Sequence, residues 1–390
     1  MLLTNQIFSS ILAQLRQDSL FEGSTIPGSA EYRLKLETLF QALLPGLATL
    51  PIDSVQITDL LSLIDHAVIQ ANPIALHTKR AYAGGWSFPA DDTGVPYQAA
   101  QELGNLRALL DRAILSVLQT RYSLADGPAY WEQLEHSEAT AADQAAGRPL
   151  LDQNVLDLFA KWIAYLANSC DTLSIVTTNY DLIPEEICKR IQIGGLELPA
   201  ENVDFGFPWR DAEDGSIHFR PSGAKLGIYK LHGSLNWLQC ALCEHIYINP
   251  VGEIAALGFD PTPKGFNTCH CSYWPLKQVI VAPSMVRDIR DPNIRQIWMA
   301  ALEALRLADE WVAIGYSMPA EDIAIRSLLI RGFRARGYEK GLALRPHPKI
   351  SVVQMDDHSV LPYRLLFGDV IPELGGLTAF LERQQASGVF

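Results

Sequence analysis

One pattern constrains this chain more than any other. Between residues 155 and 354 short apolar runs stop abruptly in polar strings, and helical spacing follows each stop. Leu173-Ser174-Ile175-Val176 ends in Thr177-Thr178-Asn179-Tyr180-Asp181, and Leu226-Gly227-Ile228-Tyr229 ends in Lys230-Leu231-His232-Gly233-Ser234. Trp311-Val312-Ala313-Ile314 ends in Gly315-Tyr316-Ser317. Val155, Leu158, Phe159, Trp162, Ile163 and Leu166 recur at helical intervals, as do Ile294, Ile297, Trp298, Ala301, Leu302 and Leu305. Strands separated by helices pair in parallel and are covered on both faces. The expected fold is therefore α/β, a doubly wound parallel sheet. In such sheets ligands bind at strand ends, so the polar strings are candidate site residues.

The pattern predicts strands at 173–178, 226–231, 278–282, 311–315 and 349–354. It predicts helices at 183–193 and 320–335, one more opened by Asp291-Pro292 as cap and first-turn residue, and a polar loop over 200–224. Before residue 150 the chain reads as helical, beginning with 4–20, where Ile7, Ile11, Leu12 and Leu15 share a face.

With 390 residues, 48% of them hydrophobic, the chain can fill the core of a large α/β domain carrying an inserted module. A net charge of −13 with no Lys/Arg block argues against duplex binding, so no nucleic-acid partner is expected. No window reaches the ~20 apolar residues of a membrane span, and the start lacks a signal-peptide pattern, so a cytoplasmic protein is expected.

Cys170 and Cys188 stand beside apolar segments and are expected to be buried core thiols. Cys240-x2-Cys243 and Cys269-x-Cys271 form a two-plus-two cluster that suits a tetrahedral Zn²⁺, with His245 and His270 near enough in sequence to substitute. A redox-active thiol cluster is the other reading of this spacing. A full thiolate shell leaves no open coordination position. The zinc is thus expected to be structural, holding residues 237–274, a segment with little core of its own.

Taken in order, the Thr-x-Asn-x-Asp strand end, His-Gly, four cysteines and Gly-x-Ser strand end resemble the sirtuin family from Val155 to Asp357. The Leu-His-Gly-Ser-Leu-Asn-Trp run, Tyr316 and Met318-Pro319 look like its divergent, defence-associated bacterial branch. The resemblance implies a Rossmann-like NAD-binding core over 151–235 and 276–390, a zinc module over 236–275 and a helical part over 1–150. It implies NAD as substrate, with Asn179 ordering water or ribose hydroxyls and His232 as general base, both at strand ends outside the core. Thr177, Thr178, Asp181, Gly233, Gly315, Ser317, Gln354 and Asp356 would line the dinucleotide. Sirtuin-like proteins also open with a strand and a Gly-rich turn. Here Met1-Leu2-Leu3-Thr4-Asn5 takes that place, with the first strand and its phosphate-cradling amides missing. The expectation is either that the protein starts upstream of this Met or that this version holds a dinucleotide poorly, with hydrolysis from Met1 weak or absent. The glycines of 23–28 follow no strand and read as an interhelical loop.

Protein deacylases of this family clamp an acyl-lysine peptide with a Phe-Gly-Glu-type loop. The corresponding residues here are Ala282-Pro283-Ser284-Met285-Val286-Arg287, and Pro283 lacks the N–H that strand addition would use. Water is then the expected acceptor, giving nicotinamide and ADP-ribose. The resemblance further implies an antiphage role under control of homo-oligomerisation or of a partner such as a hexameric ATPase. An NAD-dependent protein deacylase and a non-catalytic nucleotide sensor or scaffold are the alternative readings.

Overall fold

The computed structural model describes residues 4–17, 107–117 and most of 153–390, with single positions between 20 and 65. Within the last stretch, 194, 251, 253, 260–266, 281–290, 320–321 and 335–345 are not described. The glycines of 23–28 and the Pro283 loop therefore lie outside the described residues. The chain divides into two compact units. The first takes Met1–Leu150, Ala212–Gly215 and His232–Asp288, and the second takes Leu151–Asp211, Ser216–Leu231 and Ile289–Phe390.

In the first unit, helix α1 (Thr4–Arg16) buries Ile7, Phe8, Ile11, Leu12 and Leu15 along one face, as its spacing predicts. The ring of Phe8 meets that of Phe40 edge-on at 5.2 Å. Leu36, Ile57, Leu60, Leu61 and Ile64 are also buried, with Leu110 and Ile114 from helical residues 107–117.

The second unit opens with α2 (Gln153–Ser169), β1 (Leu173–Thr177), α3 (Ile183–Arg190), β2 (Val203–Asp204) and β3 (Leu226–Lys230). β3 lies between β1 and β2, parallel to both. All five of its residues are buried. Each fully buried aliphatic side chain here, such as Leu226 and Ile228, contributes about 2 kcal/mol. The expected polar loop over 200–224 instead contains β2 and a small hairpin of Trp209–Asp211 against Ile217–His218. Asp204 fastens this excursion to β3 by accepting from Arg220 Nε and Nη2 (2.9 and 2.7 Å), Gly206 N–H (2.9 Å) and the Tyr229 hydroxyl (3.0 Å). Burial alone would raise the Asp204 carboxyl, but the Arg220 and Gly206 donors outweigh it and hold the group below its usual range.

The chain then enters the first unit as β4 (Gly233–Cys240), β5 (Ile246–Ile248) and β6 (Leu276–Ile280). β4 pairs antiparallel with both β5 and β6. The expected strand at 278–282 is β6, two residues early, and it joins this antiparallel group.

Returning to the second unit, the chain forms α4 (Pro292–Leu307), β7 (Glu310–Ile314), α5 (Ile323–Arg334), β8 (Lys349–Gln354), α6 (Leu361–Phe367), β9 (Ile371–Leu374) and α7 (Gly376–Ala386). Asp291 caps α4 by accepting from Asn293 N–H (2.8 Å) and Ile294 N–H (2.9 Å), with Pro292 next in line, an arrangement worth about 1 kcal/mol. β7, β8 and β9 run parallel in that order over a core of Trp311, Ile350, Val352, Tyr363 and Phe367. Among the described residues the parallel strands thus form two sheets of three rather than one. β1 and β7 each pair on a single side, which is what separates the two sheets.

Candidate active site and cysteine cluster

The β1–β3 register pairs Thr177 with Lys230, so two polar strings about fifty residues apart leave neighbouring strands side by side. The Leu231 N–H donates to the Thr177 carbonyl at 2.9 Å, and Trp298 Nε1 of α4 donates to the Leu231 carbonyl at 3.0 Å. Beyond β1 the backbone turns at once: Asn179 N–H donates to Thr177 Oγ1 (3.0 Å), and Asp181 Oδ1 accepts from Ile183 N–H (3.2 Å) at the start of α3. Thr177, Thr178, Asn179 and Asp181 are all half-buried. The Asn179 carboxamide makes no hydrogen bond among the described residues.

Beneath this turn lies a pair that the sequence reading missed. Lys230 is 0% exposed, and its Nζ stands 2.7 Å from Glu185 Oε1 and donates to the Asp181 carbonyl. Burial pushes the Glu185 carboxyl upward, against the pull of Lys230. Cys188, next along α3, is buried as expected, and burial together with the Glu185 charge pushes its thiol up to about 12. Cys170 is exposed, contrary to expectation, because it lies just past the end of α2.

His232 and Gly233 belong to the first unit. His232 is 4% exposed, which corrects the expectation that it stands outside the core. The strand β4 begins immediately after it and draws it inward. Gly233 has φ +85, and a Cβ there would meet the Val279 carbonyl oxygen at 1.9 Å. Close packing of β4 against β6 is enough to require this glycine.

The second set of predicted residues follows β7 and β8. Gly315 has φ +63, with open space where a Cβ would stand, and Ser317 is exposed. The turn between them is anchored through Tyr316, whose carbonyl accepts from Gln354 Nε2 (2.6 Å) and the Tyr363 hydroxyl (2.7 Å). The Tyr316 hydroxyl donates to Asp322 Oδ2 (2.8 Å). Met318 is buried at φ +53, a strained conformation that this anchoring sustains. Gln354 therefore supports the Gly-x-Ser turn. Asp356 Oδ1 accepts from Ser359 N–H (2.9 Å) and its hydroxyl (3.1 Å), and those bonds hold its carboxyl below the usual range.

Three of the four expected cysteines converge. The Sγ atoms of Cys240, Cys243 and Cys269 lie within 4.8 Å of one another, and Cys271 Sγ is 3.1 Å from Cys269 Sγ. The Cys243–Cys269 separation is 3.7 Å, close to the ~3.8 Å edge of a tetrahedron with Zn–S bonds of about 2.3 Å. Burial opposes ionisation of Cys269, yet Ser272, Tyr247 and Cys271 donate to it and lower it to about 5. Tyr247 does so at 3.4 Å, as a partner outside a metal's ligands would. The buried Nδ1 of His245 has no hydrogen-bond partner among the described residues, whereas His270 stacks on Tyr247 at 5.7 Å. Cys240, Cys243 and Cys269 form a donor group that fits a metal such as zinc, which would cross-link the two turns, while Cys271, the expected fourth ligand, is exposed and lies outside that group. One expectation needs correction. Cys240 and Cys269 sit in a core with Leu238, Tyr247, Ile254 and Leu276, so the segment has a hydrophobic cluster of its own.

No protein-family model and no curated protein matches this chain. Among solved structures it is similar to Sir2 bound to acetylated peptide, at 11% identity and a TM-score of 0.33, over 60% of this chain and 71% of that one. It is also similar to a Sir2–p53 peptide–NAD⁺ complex, at 12% identity and 0.33, over 69% and 89%. A structure describing sirtuin substrate affinity gives 13% and 0.33, over 70% and 90%. At scores this low the likenesses carry no argument, and the reading of the site rests on its residues.

Proposed function

We propose that this chain is a sirtuin-like, NAD-consuming hydrolase that cleaves the nicotinamide–ribose bond. The observation that carries the reading is the β1–β3 register, which sets the Thr177–Asp181 turn and the Lys230–Leu231 exit on adjacent C-terminal strand ends. Parallel sheets bind ligands at such ends. Asn179 has a carboxamide free of hydrogen bonds among the described residues, suited to ordering a ribose hydroxyl or the attacking water. Asp181 keeps one carboxylate oxygen beyond the one on Ile183, for the nicotinamide carboxamide. The open space over Gly315 and the exposed Ser317 suit phosphate and ribose, Thr177 and Thr178 would supply backbone and hydroxyl contacts, and Asp356 would approach the adenosine ribose.

In the reaction the N-glycosidic bond breaks and its electron pair leaves with nicotinamide, so positive charge develops at the ribose anomeric carbon. Water adds there, and its proton passes to His232, which the resemblance makes the general base, and then to solvent. Nicotinamide, ADP-ribose and a proton are the products. The absence of a backbone donor at Pro283 supports water over an acyl-lysine peptide as acceptor. Zinc in the cysteine cluster is structural in this reading. The same reading places the protein in antiphage defence in the cytoplasm, with activity controlled by self-assembly or by a partner such as a hexameric ATPase. Among the described residues no helix is long and apolar enough to cross a membrane.

The test is chromatography of NAD incubated with the protein, with and without an acyl-lysine peptide. Nicotinamide and ADP-ribose without peptide support the hydrolase. Turnover only with peptide supports a deacylase instead.

A further inference from the structure

Lys230 ends a strand whose other inward positions are apolar, and its ammonium is fully buried. A methionine there would fill the same space without desolvating a charge, and replacing a buried ion pair by apolar groups is often neutral for stability. A purely structural pair is therefore a weak account of why charge is buried here. Its geometry suggests another. Nζ reaches the Asp181 carbonyl and, 2.7 Å away, Glu185 Oε1 in the first turn of α3, while the Asp181 carboxylate accepts from Ile183 N–H. The turn carrying Asn179 is thus tied at its far end to the strand that leads to His232. Glu185 is itself buried, and neither of its carboxylate oxygens has a hydrogen-bond partner among the described residues, so the ion pair with Lys230 at 2.7 Å is what makes its charge tolerable.

We propose that Lys230 and Glu185 form a positioning pair that fixes the Thr177–Asp181 turn in the conformation that receives the nicotinamide riboside end of NAD. The substrate half of this proposal rests on the hydrolase reading above. Neither residue touches substrate, and each acts through the backbone of Asp181 and α3.

The experiment compares the full chain with K230M and with K230M/E185Q, which removes both charges so that none is left buried and unpaired. Amide exchange of residues 178–183 in the ligand-free protein reports the turn directly, and calorimetric NAD titration reports the substrate. The double variant is expected to keep the exchange of α4 and β8 unchanged. Exchange across 178–183 should accelerate, and NAD affinity should fall, each by about tenfold or more. A folded double variant with unchanged exchange at 178–183 overturns the positioning role, whatever NAD does. Faster exchange with undiminished NAD affinity overturns the link to substrate. Faster exchange in a chain whose wild type does not bind NAD upholds the pair and overturns the hydrolase reading. If K230M alone fails to fold while the double variant folds, the unpaired Glu185 charge is the cause, which supports the pairing.

Discussion

The strand-end turns of the second unit and the cysteine turns of the first are both irregular backbone beside buried strands, yet different chemistry holds them. At Asp181 and at Tyr316 a main-chain carbonyl receives side-chain donors that stand on regular elements: Lys230 on β3, Gln354 on β8 and Tyr363 on α6. The cysteine turns place Glu244 and Tyr273 at positive φ and expose Leu242, Tyr273 and Trp274. What converges there is sulfur. Donors rooted in a sheet can define a loop without a metal. Left-handed residues occur in both regions, Met318 at the Tyr316 turn among them, at ~1–3 kcal/mol each, and at the cysteine turns the groups placed to offset that strain are the thiols of Cys240, Cys243 and Cys269.

The largest expected effect breaks the cysteine side of this contrast. Purified protein should contain about one zinc per chain, and Cys269→Ser should cost several kcal/mol, seen as lost solubility or a collapse of the melting transition. Metal analysis of folded protein well below about half an equivalent would remove the zinc account and leave the small core of Leu238, Tyr247 and Leu276 to hold the turns alone.

Next in size are the two residues assigned to chemistry. Asn179→Ala and His232→Ala should each lower NAD cleavage by roughly 10²–10⁴-fold. They should differ in stability, because Asn179 is half-buried and its loss should cost under ~1 kcal/mol. His232 is buried, and its removal should cost about 1–3 kcal/mol in denaturant melts. Equal stabilities would contradict the buried placement of His232. The Tyr316 anchor is smaller again: Tyr363→Phe should cost about 1 kcal/mol, since Gln354 still serves the same carbonyl. The least effect is expected at Cys170→Ser, within about 0.5 kcal/mol. A maleimide should label Cys170 and spare Cys188, whose burial keeps it a thiol. Labelling of Cys188 in native protein would mean that α3 opens.

How much was legible in sequence follows from range. β1, β3, β7 and β8 are apolar runs with abrupt polar ends, a local signal, and the Asp291-Pro292 cap is local too. β4 was missed because Lys230-Leu231-His232-Gly233-Ser234 reads as the polar end of the preceding apolar run, although Leu235 and Trp237 already alternate. β9 was missed because Pro372 breaks a four-residue run with little burial. The candidate residues were legible as motifs, but their support was not. Lys230 with Glu185, and Gln354 and Tyr363 with Tyr316, pair residues 38 to 47 apart or across elements, and no local period announces such pairs. The exposure of Cys170 and the burial of His232 turned on where an element stops or starts, which spacing fixes least well.

The central claim is that the β1 and β3 strand ends serve NAD cleavage by water. The most direct measurement is product analysis of NAD incubated with this chain in H₂¹⁸O without peptide, beside Asn179→Ala. The account predicts equal amounts of nicotinamide and ADP-ribose above the protein-free blank, ¹⁸O on the ribose anomeric carbon, and no product from the variant. Intact NAD with no heat of binding, or product formation undiminished in Asn179→Ala, would contradict it.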